Sequence, residues 1–445
     1  MNDGLIAADG QTPVVRRPFA VQIGWTLAVR LLMTGNSVIA GIIVARWLGA
    51  DGLGQLGVIN VTVAMVVQLG SAGLPSANTY FIAKDKSQLP SVAINSLFFA
   101  TIVGTLLAFA LTLIGQQRPD WFGFILPDLI RIAAISIPFQ LVTLIGLNIF
   151  LALGDVRRFN LLDLAGQSFV LINALIVLII FNSGLMTLIT LNTAAAVAVG
   201  VIIIVLVAMY ATKLRTGTSW RIDLKLLGRM LGYGLKFHIS ILAAALMFRA
   251  DLLVVNHFHG AAAAGVYTVA SQVAMMLMML PGVIATLLFP RITAEQDLRG
   301  EITSRITRHT VFVMLLICLI AVPFSFLLPV LYGAAFSDAT VQLLILLPGV
   351  YLVGIQSVFA QHFNAIGLPP AIPALWLTTL LVHVSLLFIL VPPLGARGAA
   401  LASLISYVII FTLMLIYFRS NTGRSSADTL VLTSRELRDL IHLKK

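Results

Sequence analysis

Between residues 19 and 418 the chain repeats one pattern, a run of mostly apolar residues followed by a short polar break. A helix needs about 20 such residues to cross a hydrocarbon core about 30 Å thick. On that ruler twelve spans follow, at 19–47, 54–82, 90–115, 125–152, 160–181, 186–210, 230–256, 265–289, 310–332, 341–364, 371–391 and 398–418. The runs are continuously apolar and do not alternate, so helices are expected and barrel strands are not. Composition agrees: 59% of the 445 residues are hydrophobic and 10% are charged, against about 25% charged in an ordinary soluble domain. A soluble globule could not hide that much apolar surface. The expected class is an all-α polytopic membrane protein.

What remains outside the spans is small. The largest polar pieces are 1–18, 211–229, 290–309 and 419–445, and none is long enough to build a core of its own. The first apolar run is too long for a cleaved signal peptide and has no small-residue cleavage pattern after it. The single cysteine, Cys318, lies within a span, so no disulfide framework or zinc cluster is expected. No other feature asks for a cofactor.

The net charge of +11 is mostly topology. An even number of spans puts both termini on one side. Of the 28 Lys and Arg, 21 fall on that side, three (Arg46, Arg118, Arg397) on the other, and four (Arg30, Arg131, Lys236, Arg249) within spans. Such a bias marks the terminal side as cytoplasmic. No basic block has interleaved aromatics, so nucleic acid is not an expected partner. Two basic pieces are expected on the anionic inner leaflet: 220–229, with Trp220, Ile222, Leu224, Leu226 and Leu227, and a tail helix. The tail helix combines Thr433 and Glu436 at capping-box spacing with Leu437, Leu440 and Ile441 on one face.

The spans also repeat as a block of six. WLGADGLG at 47–54 and FHGAAAAG at 258–265 place Gly49 and Gly260 at an offset of 211. Gly123 and Gly333 follow at 210, and Gly154 and Gly367 at 213. Three landmarks at nearly constant offset argue for a duplicated six-helix unit, and an even unit makes the repeats parallel. The expected organisation is a first lobe at 1–210, a linker at 211–229, a second lobe at 230–418 and a tail at 419–445. Two such lobes meeting at a central seam suit a transporter that rocks about a midplane site. Pro75, Pro138, Pro281, Pro323 and Pro348 fall within spans and are expected to kink them.

Two motif matches fail on context. Residues 52–57 (GLGQLG) fit a dinucleotide fingerprint literally, but they follow a membrane span and lack the acidic residue about 20 positions on. They read as a tight turn with close helix contact. His257 and His259 have no third metal ligand nearby. No serine, histidine and acid set reads as a nucleophilic site, and the chain is not expected to be an enzyme.

Charges inside spans are expensive and by default face a cavity or a partner. Arg30 lies near the middle of span 1, on a face shared with Thr26, Thr34, Ser37 and Gly41. Arg30, Thr34 and Ser37 are therefore candidate substrate contacts, the alternative for Arg30 being a buried ion pair. Span 7 adds Lys236 and Arg249 as further substrate candidates, with Asp251. On a continuous helix Lys236, Ser240 and Asp251 share one side, and His238 and Arg249 the other. Arg249 and Asp251 can equally serve interhelical ion pairs. Asp163 in span 5 and Asp251 are candidate carriers of a coupling ion, and His383 in span 11 is a further titratable group.

The stretches ARWLGADGLGQLGV (45–58) and LGSAGLPSANTYFIAK (69–84) resemble the first two spans of the O-antigen and exopolysaccharide repeat-unit flippases. These belong to the multidrug/oligosaccharidyl-lipid/polysaccharide exporter superfamily. FRADLLVVNHFHGAAAAGVYTVASQV (248–273), with Asp251, Gly265 and Tyr267, is similar to their seventh and eighth spans, and LPVLYGAAF (328–336) to their ninth-to-tenth connection. The resemblance implies a V-shaped bundle of two six-helix lobes around a central cationic cavity in a bacterial inner membrane. It implies a substrate of oligosaccharide on undecaprenyl pyrophosphate, moved from the cytoplasmic to the periplasmic leaflet, with polymerase and co-polymerase proteins of the same pathway as partners. Other readings are a cation-coupled multidrug exporter of the related family, and a membrane-embedded polymerase or ligase. The short outer loops argue against the last.

Overall fold

A computed structural model of the chain describes residues 19–123, 125–213, 221–284, 292, 297–432 and 436. Helices dominate the described residues, and no strand occurs among them. Nine helical segments are long and apolar enough to cross a membrane. Three of these are too long for one crossing: 24–70 has 47 residues, 224–284 has 61 and 371–422 has 52. At about 1.5 Å per residue each would run far beyond a bilayer core. Each instead folds back at a glycine of positive φ: Gly49 (φ 70°), Gly260 (φ 79°) and Gly395 (φ 59°). The nine segments therefore supply twelve crossings. We call the face carrying residues 19 and 422 the terminal face, and the opposite one distal.

Helix α1 (Phe19–Gly70) makes the first hairpin, and α2 (Leu74–Lys84) completes its second arm. Helix α3 (Leu89–Gln117) follows, then α4 (Pro127–Ala134) and α5 (Ile137–Ala152), which share one crossing. Helices α6 (Val156–Ala174) and α7 (Leu185–Lys213) close the first lobe. The second lobe holds α8 (Leu224–Met247), α9 (Ala250–Leu277), α10 (Glu301–Ser325), α11 (Leu328–Tyr332), α12 (Ser337–Ala365) and α13 (Ala371–Thr422). A short α14 (Ser426–Leu430) lies beyond.

The structure corrects one expectation. Span 7 is not one continuous helix: α8 ends at Met247, Phe248 and Arg249 form a turn, and α9 begins at Ala250. The side-sharing expected of Lys236, Ser240 and Asp251 therefore does not carry across the break. Residues 221–229 lead into α8, which begins at Leu224. Asp223 accepts hydrogen bonds from the Lys225 and Leu226 amides and caps α8, and Leu226 and Leu227 are buried while Ile222 and Leu224 are exposed. Trp220, and the tail residues Thr433, Leu437, Leu440 and Ile441, lie outside the described residues. Glu436 is described and accepts from Arg308 at 2.8 and 2.6 Å.

The two lobes meet about a pseudo-twofold axis that the sequence offsets anticipate. A Cβ on Gly54 would lie 1.7 Å from the Ala261 carbonyl oxygen, and one on Gly265 would lie 1.9 Å from that of Ala50. Both contacts map onto each other at an offset of 211. The same relation pairs two distal contacts. Arg46 donates to the carbonyls of Leu331 (2.9 Å) and Val330. His257 Nδ1 sits 3.2 Å from the Asp120 carbonyl, beside an Asn256 bond of 2.8 Å to Phe122. Arg46 and His257 are 211 apart, and Val330 and Asp120 are 210 apart.

On the terminal side α2 and α3 pack against α8. There Gly73 and Gly234 approach so closely that a Cβ on Gly73 would meet the Gly234 carbonyl at 2.2 Å. Tyr80 stacks on Tyr233 at 4.3 Å, and Asn95 exchanges two 3.0 Å hydrogen bonds with the Asp223 backbone.

Candidate substrate site

Three adjoining cavities lie at and beside the lobe seam, with volumes of about 390, 460 and 280 Å³. Ser37 and Gln167 line all three, which makes them the junction. The first cavity is enclosed entirely by the first lobe. Its polar lining is Asn60, Ser136, Gln140, Thr143, Asp163, Gln167, Asn192 and Thr193. The second lies between the lobes, where α1 and α6 face α9, and has Arg249, Thr268, Ser271 and Gln272 on its far wall. The third lies between α1 and α9 and is lined by Arg30, Thr34 and the methionines 33, 275, 276 and 279. Methionine side chains are flexible and adapt to irregular apolar partners.

The polar face of the first arm of α1 serves two neighbours in turn. Thr26 accepts from Asn160 at 2.9 Å, and Arg30 pairs with Asp163 at 3.5 Å. Asn160, Asp163 and Gln167 recur on one face of α6 at three- and four-residue spacing. Further along, Thr34 bonds back to the Arg30 carbonyl at 2.9 Å and contacts Met279. Ser37 then accepts from Gln272 of the second lobe at 2.9 Å.

The sequence-derived candidates divide accordingly. Arg30 faces the third cavity but is already paired with Asp163, which itself lines the first. Thr34 and Ser37 line the site. Arg249 lines the central cavity, and its guanidinium has no salt bridge or hydrogen bond among the described residues. Asp251 lines the same cavity, but the residue is only 3% exposed. It accepts from Tyr267 at 2.5 Å, Ser403 at 3.3 Å and the Leu252 amide at 2.8 Å. The structure does not bring Lys236 to these cavities: it is exposed, with its ammonium 5.8 Å from the Phe237 ring. His383 is buried against Ser406 at 3.0 Å in the second lobe.

The break at Phe248–Arg249 belongs to this geometry. Irregular backbone at membrane depth is tolerated where it lines a polar cavity, and both residues line the central one. Asn60, Gln140, Gln167, Asn192 and Gln272 are the site residues that a search for charges passes over. Their signal is weaker: amides in apolar runs, with Gln167 one turn beyond Asp163.

Two pseudo-symmetric six-helix lobes with polar cavities at their seam define an all-α polytopic membrane protein. Residues 20–296 match the family of polysaccharide biosynthesis proteins, and the chain belongs to that family. Its fold is similar to that of an inward-facing multidrug resistance MATE family transporter of the MOP superfamily (18% identity, TM-score 0.70, covering 88% of this chain and 94% of the other). It is similar also to the lipid II flippase MurJ in an inward closed conformation (16% identity, TM-score 0.71, 96% and 91%). A third likeness is to a MOP superfamily transporter from Pyrococcus furiosus, described by the reversed polarity of its binding pocket (17% identity, TM-score 0.62, 91% and 95%). A sequence comparison with curated proteins found no match.

Proposed function

We propose that the chain flips oligosaccharide repeat units linked to undecaprenyl pyrophosphate from the cytoplasmic to the periplasmic leaflet of a bacterial inner membrane, for surface polysaccharide biosynthesis. The observation that carries the proposal is the Arg249 guanidinium, unpaired among the described residues, in a cavity at the lobe seam. An unpaired cation at membrane depth needs an anion, and a pyrophosphate supplies one with matching donor–acceptor geometry. Family membership supplies the polysaccharide. The moving bodies are 1–210 and 230–418, joined by 211–229, with 419–445 as a cytoplasmic tail. The charge bias of 21 to three supports cytoplasmic termini.

In this reading the lobes rock about the glycine contacts and expose the cavities to each face alternately. Arg249 holds the pyrophosphate, and Ser37 and Thr34 border its path. The methionines between α1 and α9 give the isoprenoid chain an adaptable apolar surface. Asp163 and Asp251 are the carboxylates available for ion coupling. The chain acts as a transporter and not an enzyme, alongside polymerase and co-polymerase proteins of the same pathway.

A deletion strain without a paralogue tests this. Lipid-linked repeat units should accumulate on the cytoplasmic leaflet, and the Arg249→Ala protein should fail to restore surface polymer. Normal polymer in the deletion strain would sink the proposal. The likeness in fold to a multidrug transporter favours export of drugs as the second reading. In that case the deletion strain becomes drug-sensitive while its polysaccharide stays normal.

A further inference from the structure

We infer that the first-lobe cavity is the sugar subsite, and that it selects uncharged sugar residues next to the pyrophosphate. The inference rests on the flippase reading above and deepens it. The cavity holds about 390 Å³, within the range of small-molecule sites. Apart from Asp163 its polar lining is built from amides and hydroxyls supplied by several helices of one lobe, and no Lys or Arg lines it among the described residues.

Asn60 and Gln167 carry the argument. Both are exposed to the cavity, and neither amide has a hydrogen-bond partner among the described residues. An amide in an apolar span that found no partner would be costly, so these groups are satisfied by water or by a ligand. An amide both donates and accepts, as a sugar hydroxyl does. An isoprenoid chain would fill the same volume and leave both amides unpaired.

The charge pattern gives the selectivity. The one carboxylate lining the cavity, Asp163, is engaged by Arg30 at 3.5 Å. A uronic acid would find no free cation there and would face that carboxylate, which costs affinity. A neutral sugar meets neither problem. Connectivity fits as well. The first sugar is bonded directly to the pyrophosphate, and the cavity joins that of Arg249 at Ser37 and Gln167.

The test uses the full chain in lipid nanodiscs and three probes: undecaprenyl pyrophosphate bare, carrying one glucose, or carrying one glucuronate. Affinities are read by native mass spectrometry. The glucose lipid should bind about tenfold tighter than the bare lipid, the worth of two or so neutral hydrogen bonds. The glucuronate lipid should gain nothing. Asn60→Leu with Gln167→Leu should erase the glucose gain, so that the glucose lipid binds this variant no tighter than the bare lipid does. Arg249→Ala should weaken all three alike. If the double variant does not fold, Gln167→Met alone, close to isosteric, should cut the glucose gain about threefold. A gain that survives these changes, or a glucuronate lipid that binds tightest, overturns the subsite. Equal binding of all three lipids overturns it too, while leaving the flippase reading standing. No binding of any of them overturns both.

Discussion

The two lobes share a frame and differ inside it. The shared frame is the set of glycines that the offsets of 210–213 identified. Gly49 and Gly260, Gly123 and Gly333, and Gly154 and Gly367 all have positive φ in the structure, a conformation that side chains disfavour. The interiors have diverged. The first lobe encloses a cavity lined by amides and hydroxyls. In the second lobe Phe359, Phe363, Phe418 and Tyr267 are fully buried, and the Phe359 and Phe418 rings lie 5.0 Å apart. There Asp251 accepts from Tyr267 and Ser403, and His383 meets Ser406. Equivalent turns thus keep glycine in both lobes, while the side chains packed inside the lobes differ.

The largest effect is expected where the frame is tightest. Gly54→Val and Gly265→Val each drive a side chain into the opposite lobe's backbone, where even a Cβ has 1.7 or 1.9 Å. Each should destabilise the protein by about 3 kcal/mol, read as a fall in thermal midpoint in detergent. If the twofold relation is real, the two losses match. A large loss from one and none from the other would break the symmetry.

A smaller effect is expected at the Arg30–Asp163 pair, which separates a structural cation from a free one. Both side chains are partly exposed, so the pair contributes about 1 kcal/mol. A double-mutant cycle with Arg30→Ala and Asp163→Asn should show the combined variant losing less than the sum of the singles. Strict additivity would mean that the pair does not form.

The distal latches should differ least. Arg46 makes two charge-assisted bonds and His257 makes one contact. With Cys318→Ser as background and Ala264→Cys as a buried seam reporter, Arg46→Ala should raise labelling from the distal side more than His257→Ala. The gap should be a few-fold, the worth of about 1 kcal/mol. Equal labelling would remove the asymmetry from the latches.

Much of this frame is legible in the sequence, because apolar runs and turn glycines are local signals. The twelve crossings and the three glycine pairs need no tertiary knowledge. The break at Phe248–Arg249 is not legible, since neither glycine nor proline marks it and its cause is the cavity it lines. Arg30 and Asp163 are each visible as intramembrane charges, but their pairing joins helices 133 residues apart. Asn60 and Gln167 escape because an uncharged amide in a span is as often a helix-to-helix contact, as Asn36 to Ser168 is here at 3.0 Å.

The central claim is that the seam cavities carry a lipid-linked anion across the bilayer, with Arg249 as its cationic partner. The direct measurement is translocation of undecaprenyl pyrophosphate oligosaccharide in proteoliposomes, read by protection from an external glycosidase. The wild-type chain should translocate it, Arg249→Ala should slow translocation at least about tenfold, the worth of a charge-assisted bond, and Lys236→Ala should leave it unchanged. Equal rates for wild type and Arg249→Ala, with both proteins folded, would contradict the account.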